Sequence, residues 1–304
     1  MKGNALTMPT ITFLGIGLMG APMVARLLGR GFEVCAWNRT YAKAAALSGL
    51  GAQAEPGLQE AVRKADIVIS MLESGAVVGQ VIDAALPALK PGALWVDMSS
   101  TRQDEAVAFN ARLEGRGFHF LDAPVSGGVA GAEAGTLAIM AGGSVHDFSK
   151  AEAVLQAMGR PMLVGPAGSG QVAKLCNQLI VGGTLNIIAE ALLLAQAAGA
   201  DPAAVRAAIR GGFAESRILE VHGQRMLERN FLPGGQVKSQ LKDLQNVLAA
   251  AADAGVVLPV TALVTEHYQS IAAEVPRADQ SAALLAVEKL NPGQRLGAGP
   301  DQLP

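Results

Sequence analysis

The sequence predicts an α/β domain built on a parallel, doubly wound sheet, followed by an all-α domain, with a long helix joining the two. Three observations carry that expectation. In the first half, short apolar runs alternate with Ala/Leu-rich helical stretches, the pattern of βαβ units. A glycine-rich turn stands between the first such run and the first helical stretch. After Gly168 the strand-like runs stop and long helical patterns take over.

The strand candidates are Thr10–Leu14, Glu33–Trp37, Ile67–Ser70, Leu94–Asp97, His119–Leu121, Leu137–Ala141 and Met162–Val164. Helical stretches such as Ala21–Arg30, Tyr41–Ser48 and Gln103–Gly115 lie between them. Beyond Gly168 the helical patterns are Val172–Ala198, Pro202–Arg210, Arg217–Arg229, Lys238–Ala254 and Val260–Glu274. Asp201-Pro202 reads as an N-cap with proline at the first helical position. The run Gly165-Pro166-Ala167-Gly168 marks the boundary, giving domains 1–167 and 168–304. The Pro/Gly-rich tail after Leu290 is expected to fray.

Composition narrows the function classes. Half of the 304 residues are hydrophobic and 16% are charged, which excludes wholesale disorder. The 36 glycines follow no Gly-X-Y period, which excludes collagen. A formal net charge of -2 advertises neither a nucleic-acid nor an anionic-membrane partner, so a small soluble ligand is the expected one. Cys35 and Cys176 make no disulfide framework and read as small buried hydrophobes. His119, His146, His222 and His267 show no metal-ligand spacing, and no metal is expected. The opening MKGNALTMP lacks the apolar core of a signal peptide. Leu179–Ala195 holds Asn186 and Glu190 and falls short of about 20 uninterrupted apolar residues, so it reads as a helix buried between protein surfaces. A cytoplasmic protein outside the membrane is the expectation.

Four motifs carry chemistry. Gly15-Ile16-Gly17-Leu18-Met19-Gly20 follows a strand and opens a helix, the context that makes a GxGxxG a dinucleotide loop. Its first glycine permits the turn, its second lets backbone approach a pyrophosphate, and its third packs helix on strand. At the end of the second strand an acid would bind the ribose of NAD, but Asn38, Arg39 and Thr40 stand there. Arg39 can pair with a 2′-phosphate and its neighbours can hydrogen-bond it, which favours NADP over NAD. Met71 and Leu72 follow the third strand and line the expected cofactor cleft. Ser100 follows the fourth, where it is either a donor to ribose or substrate or, with Ser99, a helix cap.

The second motif, Asp122-Ala123-Pro124-Val125-Ser126-Gly127-Gly128, offers a hydroxyl at Ser126 and exposed backbone at Gly127 and Gly128, a concavity that suits a carboxylate. By pattern alone an ordinary loop fits equally. The third, GQVAKLCNQ, starts the long apolar helix. Lys174 shares a face with Asn177 and Gln178, and an isolated lysine in apolar surroundings suits acid–base work. The alternative is a surface lysine on the first turn. The fourth, Lys242-Asp243-Leu244, reads by itself as a solvated charge pair.

In this order, GIGLMG, DAPVSGG, GQVAKLCNQ and LKDL resemble the β-hydroxyacid dehydrogenase family, over about Thr10 to Leu290. That resemblance implies a Rossmann domain joined to an all-α domain by one long interdomain helix, an active site in the cleft between them, and pairing of the α domains into homodimers or homotetramers. It implies that Lys174 is the catalytic lysine, that Ser126 and Gly127 bind the substrate carboxylate, and that Asn177 is an amide near the substrate, the role some members give to the Gln178 position. It implies a hydroxyl role for Ser100 and a cofactor role for Lys242, against the bland reading of that residue. The stretch Ala208–Ser216 most resembles the tartronate semialdehyde reductase branch, which implies reduction of tartronate semialdehyde to glycerate with NADP(H). The alternatives are an NAD-dependent 3-hydroxyisobutyrate dehydrogenase, a glyoxylate/succinic semialdehyde reductase, and a non-catalytic NADP-binding scaffold. The glyoxylate/succinic semialdehyde type carries Phe where Gly235 stands here, which argues against it.

Overall fold

A computed structural model describes residues 8–304; the first seven residues, on which the signal-peptide expectation partly rests, lie outside the described residues. The chain forms two compact units that divide between Lys174 and Leu175.

The first unit holds one sheet of nine strands: β1 (Ile11–Leu14), β2 (Val34–Trp37), β3 (Gln53–Ala54), β4 (Ile67–Ser70), β5 (Leu94–Asp97), β6 (His119–Asp122), β7 (Val125–Ser126), β8 (Leu137–Gly143) and β9 (Gly159–Gly165). Their order is β3-β2-β1-β4-β5-β6-β8-β7, with β9 paired to β8. From β3 to β6 every pair is parallel. The order reverses between β1 and β4, the switch point at which an open α/β sheet binds its ligand. All four residues of β1, β4 and β5 are buried, as parallel strands covered on both faces must be. Successive residues feed opposite cores: Phe13, Ile69, Val96 and Leu121 on one face, and Leu14, Val68, Trp95 and Phe120 on the other.

The sheet departs from a purely parallel one at its far end. Strand β8 runs antiparallel to β6 and β7 and parallel to β9. Only residues 127–136, with the short helix Gly128–Ala134 among them, connect β7 to β8, whereas a parallel crossover takes roughly a dozen residues or more. Strands β3 and β7 have two residues each, too few to show a period in the sequence.

The second unit is helical. Its core joins Leu185, Ile188 and Leu192 of the long helix Ser169–Ala197 to Leu244, Val264, Tyr268 and Leu284. Asp201 caps the helix Pro202–Ala208 as expected, accepting from Ala203 N at 2.9 Å.

Three expectations need correction. The long helix is not buried all round. By length and composition it could cross a membrane, with mean hydropathy 1.7 over its most apolar window, and 39% of that window is buried. One face feeds the second core, while Ile180, Ile187 and Leu194, seven residues apart and so on one stripe, are 60–69% exposed. Cys176 is exposed and Cys35 is only half-buried: the first lies on the open side of that helix, and the second lies in β2, next to the two-residue edge strand β3. The tail does not fray. Arg229, buried and in the left-handed region at φ 52°, forks onto Glu288 at 2.7 and 2.9 Å and pairs with Asp301 of the tail. Leu296 is wholly buried, and Phe231 N donates to Gln302 O at 2.9 Å. A buried guanidinium demands anionic partners, and here the tail supplies one of them.

Candidate active site

The glycine loop sits at the switch point. Gly15 has φ 104°, and a Cβ on it would collide with the Met71 carbonyl oxygen; a Cβ on Gly20 would collide with the Gly15 carbonyl oxygen. The fold itself therefore requires both glycines. Gly17 is different: a Cβ there would meet no protein atom within 4 Å. What glycine preserves at that position is open space, as the close approach of a pyrophosphate needs. Met19, at the N-cap of the helix Gly20–Gly29, makes no side-chain cap bond, so the positive helix end is available to an anion. These features fit a dinucleotide.

The neighbouring expected residues assemble around this loop. Asn38 Oδ1 accepts from Ile16 N at 3.0 Å and its amide donates to Thr40 O at 3.0 Å, so its side chain braces the loop. Arg39 and Thr40 are exposed, and Arg39 enters none of the ion pairs among the described residues. Leu18 stands out at 83% exposed. Met71 and Leu72 are half-buried behind Gly15, with Met71 N on Leu14 O at 2.9 Å.

Neither Ser99 nor Ser100 caps the next helix, which runs Gln103–Glu114 and is opened by Glu105 accepting from Arg102 N at 2.9 Å. Buried Ser99 instead accepts from Leu72 N at 2.8 Å, tying the ends of β4 and β5 together. Ser100 is half-buried. Ser126 is half-buried at the end of β7, and Gly127 and Gly128 beside it are exposed.

Two buried acids, one of them the first residue of the DAPVSGG motif, were given no role by the sequence reading. Asp97 and Asp122 end β5 and β6 in register and are both fully buried. Asp97 Oδ1 accepts from Ser70 Oγ at 2.8 Å and Ser99 N at 3.2 Å, while its Oδ2 has no hydrogen-bond partner. Burial pushes its carboxyl up to about 7, and the charge of Asp122 adds to that. Burial pushes Asp122 up to about 6, against the pull of backbone N–H bonds from Gly168 and Gln171. The signal in the sequence was an acid closing two consecutive apolar strands, LWVD and HFLD.

The long helix begins on Asp122. Gly168 N donates to Oδ1 at 2.7 Å and Gln171 N to Oδ2 at 2.9 Å. Lys174 follows one turn later, half-buried. In the second unit, Gln178 Nε2 donates to Asp243 Oδ2 at 2.7 Å, and Asn177 Nδ2 donates to Gln178 Oε1 at 2.8 Å. Lys242 Nζ lies 3.3 Å from Asp243 Oδ1. Asp243 thus gathers Gln178 and Lys242, and only the fold shows it as the hub. At Gly235 a Cβ would stand 3.0 Å from Gln280 Cδ, so Gln280 fills the space that a larger residue there would take.

Comparison with known proteins agrees with this layout. A family model described as the NAD binding domain of 6-phosphogluconate dehydrogenase matches residues 10–176. One described as NAD-binding of NADP-dependent 3-hydroxyisobutyrate dehydrogenase matches residues 168–287. The chain is 38% identical over 281 residues to the 2-hydroxy-3-oxopropionate reductase of Escherichia coli, covering 91% of this chain and 96% of that one. It is 34% identical to the 2-(hydroxymethyl)glutarate dehydrogenase of Eubacterium barkeri, covering 92% and 95%. A 3-hydroxyisobutyrate dehydrogenase of Mycobacterium tuberculosis, in a structure with L-serine, superposes with TM-score 0.86 at 33% identity, covering 92% of this chain and 99% of that one.

The buried acid pair has a consequence for stability. The folded-state value of Asp97 lies above its ordinary 3.8, so the folded protein holds that proton more tightly than the unfolded chain. Its contribution is full below about pH 4 and is lost as pH rises through about 7. Asp97→Asn keeps an acceptor for Ser70 but cannot ionise. Its denaturation midpoint, relative to the wild type, should therefore improve steadily from pH 5 to pH 8. A difference that does not vary with pH contradicts the buried, proton-holding carboxyl.

Proposed function

The chain belongs to the β-hydroxyacid dehydrogenase family and is a nicotinamide-dependent hydroxyacid dehydrogenase; from that premise we propose that it reduces tartronate semialdehyde to glycerate with NADPH. The observation that carries the substrate is the 38% identity to the Escherichia coli 2-hydroxy-3-oxopropionate reductase over 91% of the chain. A second reading, 3-hydroxyisobutyrate dehydrogenase, is favoured by the close superposition on the Mycobacterium tuberculosis enzyme. The two substrates differ by a hydroxyl against a methyl, a small difference for a pocket to read.

The residues divide the work by their chemistry. When bound, the nicotinamide supplies the hydride. The backbone of Gly15, Gly17 and the helix behind Gly20 cradles the pyrophosphate. Arg39, exposed at the end of β2, pairs with the 2′-phosphate of NADP, and Lys242 contributes a second cation to the cofactor. The Ser126 hydroxyl and the Gly127–Gly128 backbone hold the substrate carboxylate, which orients the aldehyde carbon. Lys174, as ammonium, hydrogen-bonds the aldehyde oxygen and delivers its proton to the alkoxide that develops there; as neutral amine it accepts that proton in the reverse direction. Asn177 and Gln178 present amides one helical turn on. The stripe of Ile180, Ile187 and Leu194 is the face on which we place a second copy of the chain.

Crossing NADPH and NADH with tartronate, methylmalonate and succinic semialdehydes and glyoxylate decides the substrate, which should be tartronate semialdehyde by kcat/KM. Methylmalonate semialdehyde winning instead supports the second reading. Lys174→Ala should lower kcat by about 10²–10⁴-fold while NADPH affinity holds; near wild-type kcat in a folded variant removes the lysine from the chemistry. Arg39→Ala should raise the KM for NADPH about tenfold or more and leave that for NADH unchanged. Equal effects on both cofactors refute the phosphate pairing. Ile187→Asp should shift the chain to a smaller species in size-exclusion chromatography with light scattering, and an unchanged mass means that copies do not meet on this stripe.

A further inference from the structure

We propose that Asp122 and Gln171 are positioning residues for the reaction: they lock the first turn of the long helix to the ends of β5 and β6, and so determine where Lys174 stands. This rests on the assignment of Lys174 as proton donor.

A helix start leaves its first amides without partners inside the helix. Asp122, fully buried at the last position of β6, takes two of them, Gly168 N at 2.7 Å and Gln171 N at 2.9 Å, one on each carboxylate oxygen. Gln171, 1% exposed, returns the grip in the other direction. Its Oε1 accepts from Thr101 N at 3.1 Å and its Nε2 donates to Ser99 O at 2.9 Å, both on the segment that follows β5. The first turn is thus pinned to two adjacent strand ends through backbone and side chain together.

At Gly170 and Gly142 the helix start and the sheet leave no room for a further side chain. A Cβ on Gly170 would collide with the carbonyl oxygens of Met140 and Asp122, and one on Gly142 would stand 2.6 Å from Asp122 Oδ1. At these two glycines backbone meets backbone, and interiors packed this closely transmit a displacement rather than absorb it.

A cap that served stability alone would need less. One side-chain oxygen on one amide suffices, and Ser, Thr or Asn provides it without a charge. Here an anion has been placed where burial opposes its ionisation, beside a second acid. What an anion with two oxygens adds is a fixed direction: both amides are held at once, so the turn can neither rotate nor slide. Lys174 lies three residues beyond Gln171, the last residue of the first unit. Any rotation of the turn is carried to its side chain, and a proton donor misplaced by about 1 Å can lose about 100-fold in rate.

The test uses the full chain in four forms: wild type, Asp122→Asn, Gln171→Met and Lys174→Ala. Amide hydrogen exchange at residues 168–174 is measured on the cofactor-free protein. NADPH affinity is measured by fluorescence. kcat, KM and the deuterium isotope effect with C4-deuterated NADPH are measured with the best semialdehyde of the grid above and normalised to NADPH-binding sites. Asp122→Asn and Gln171→Met should speed exchange in the first turn, lower kcat about 10- to 100-fold, raise the isotope effect and leave NADPH affinity within twofold. A merely structural role would change exchange and thermal midpoint without moving kcat per folded site or the isotope effect; that result, with Lys174→Ala inactive, overturns the proposal alone. Full activity in Lys174→Ala instead overturns the lysine assignment and this inference with it. Should Asp122→Asn not fold, Gln171→Met decides, since it leaves the Asp122 bonds in place.

Discussion

A buried carboxylate at the end of β6 is the constraint around which the first unit is arranged. Asp122 must be desolvated because it lies between a sheet and a helix that touch through glycine, and a desolvated carboxylate must be met by donors. Those donors are the amides that the start of the long helix leaves open. The need of the strand end and the need of the helix end thus cancel each other. The same economy extends sideways. Asp97, in register with Asp122, is held by Ser70, whose hydroxyl also accepts from Trp95 Nε1 at 2.9 Å. Ser99 then ties the end of β5 to Leu72 after β4. A continuous polar seam crosses the carboxyl ends of β4, β5 and β6, the edge of the sheet on which an α/β fold builds its site.

The glycines separate what the fold demands from what a ligand demands. Gly15 and Gly20 are required by the protein's own carbonyl oxygens, whereas Gly17 answers to nothing in the chain. Asn38 shows the same division among side chains: its amide shapes the loop from within, leaving exposed Arg39 as the group with an unmatched charge. In the second unit Asp243 organises Gln178 and Lys242, and Arg229 gathers Glu288 and Asp301. In each case one buried or half-buried ion sets the geometry of several neighbours, because a low-dielectric site leaves a charge few acceptable arrangements.

Much was legible in the sequence because it was local. Apolar runs such as ITFL, IVIS and LWVD announce strands by themselves, GIGLMG announces its turn, and DP at 201–202 announces a helix start. The two-residue strands β3 and β7 were not legible, since two residues have no period. Nor was the reversal of β8, which follows from the shortness of the connection before it. The tail read as frayed because Pro and Gly dominate it, and the single buried Leu296 together with the partner of Arg229 outweighs that composition.

By itself the sequence determined the order of the longer elements, the dinucleotide loop and the family, because each rests on motifs that are local in the chain. Only the tertiary structure decided how those pieces are held. Asp97 and Asp122 are 25 positions apart, and Asp122 and Gln171 are 49 apart. No pattern in the chain links them. They become partners because parallel strands bring their carboxyl ends to one edge and the long helix starts there, leaving buried charges that only one another's neighbours can satisfy.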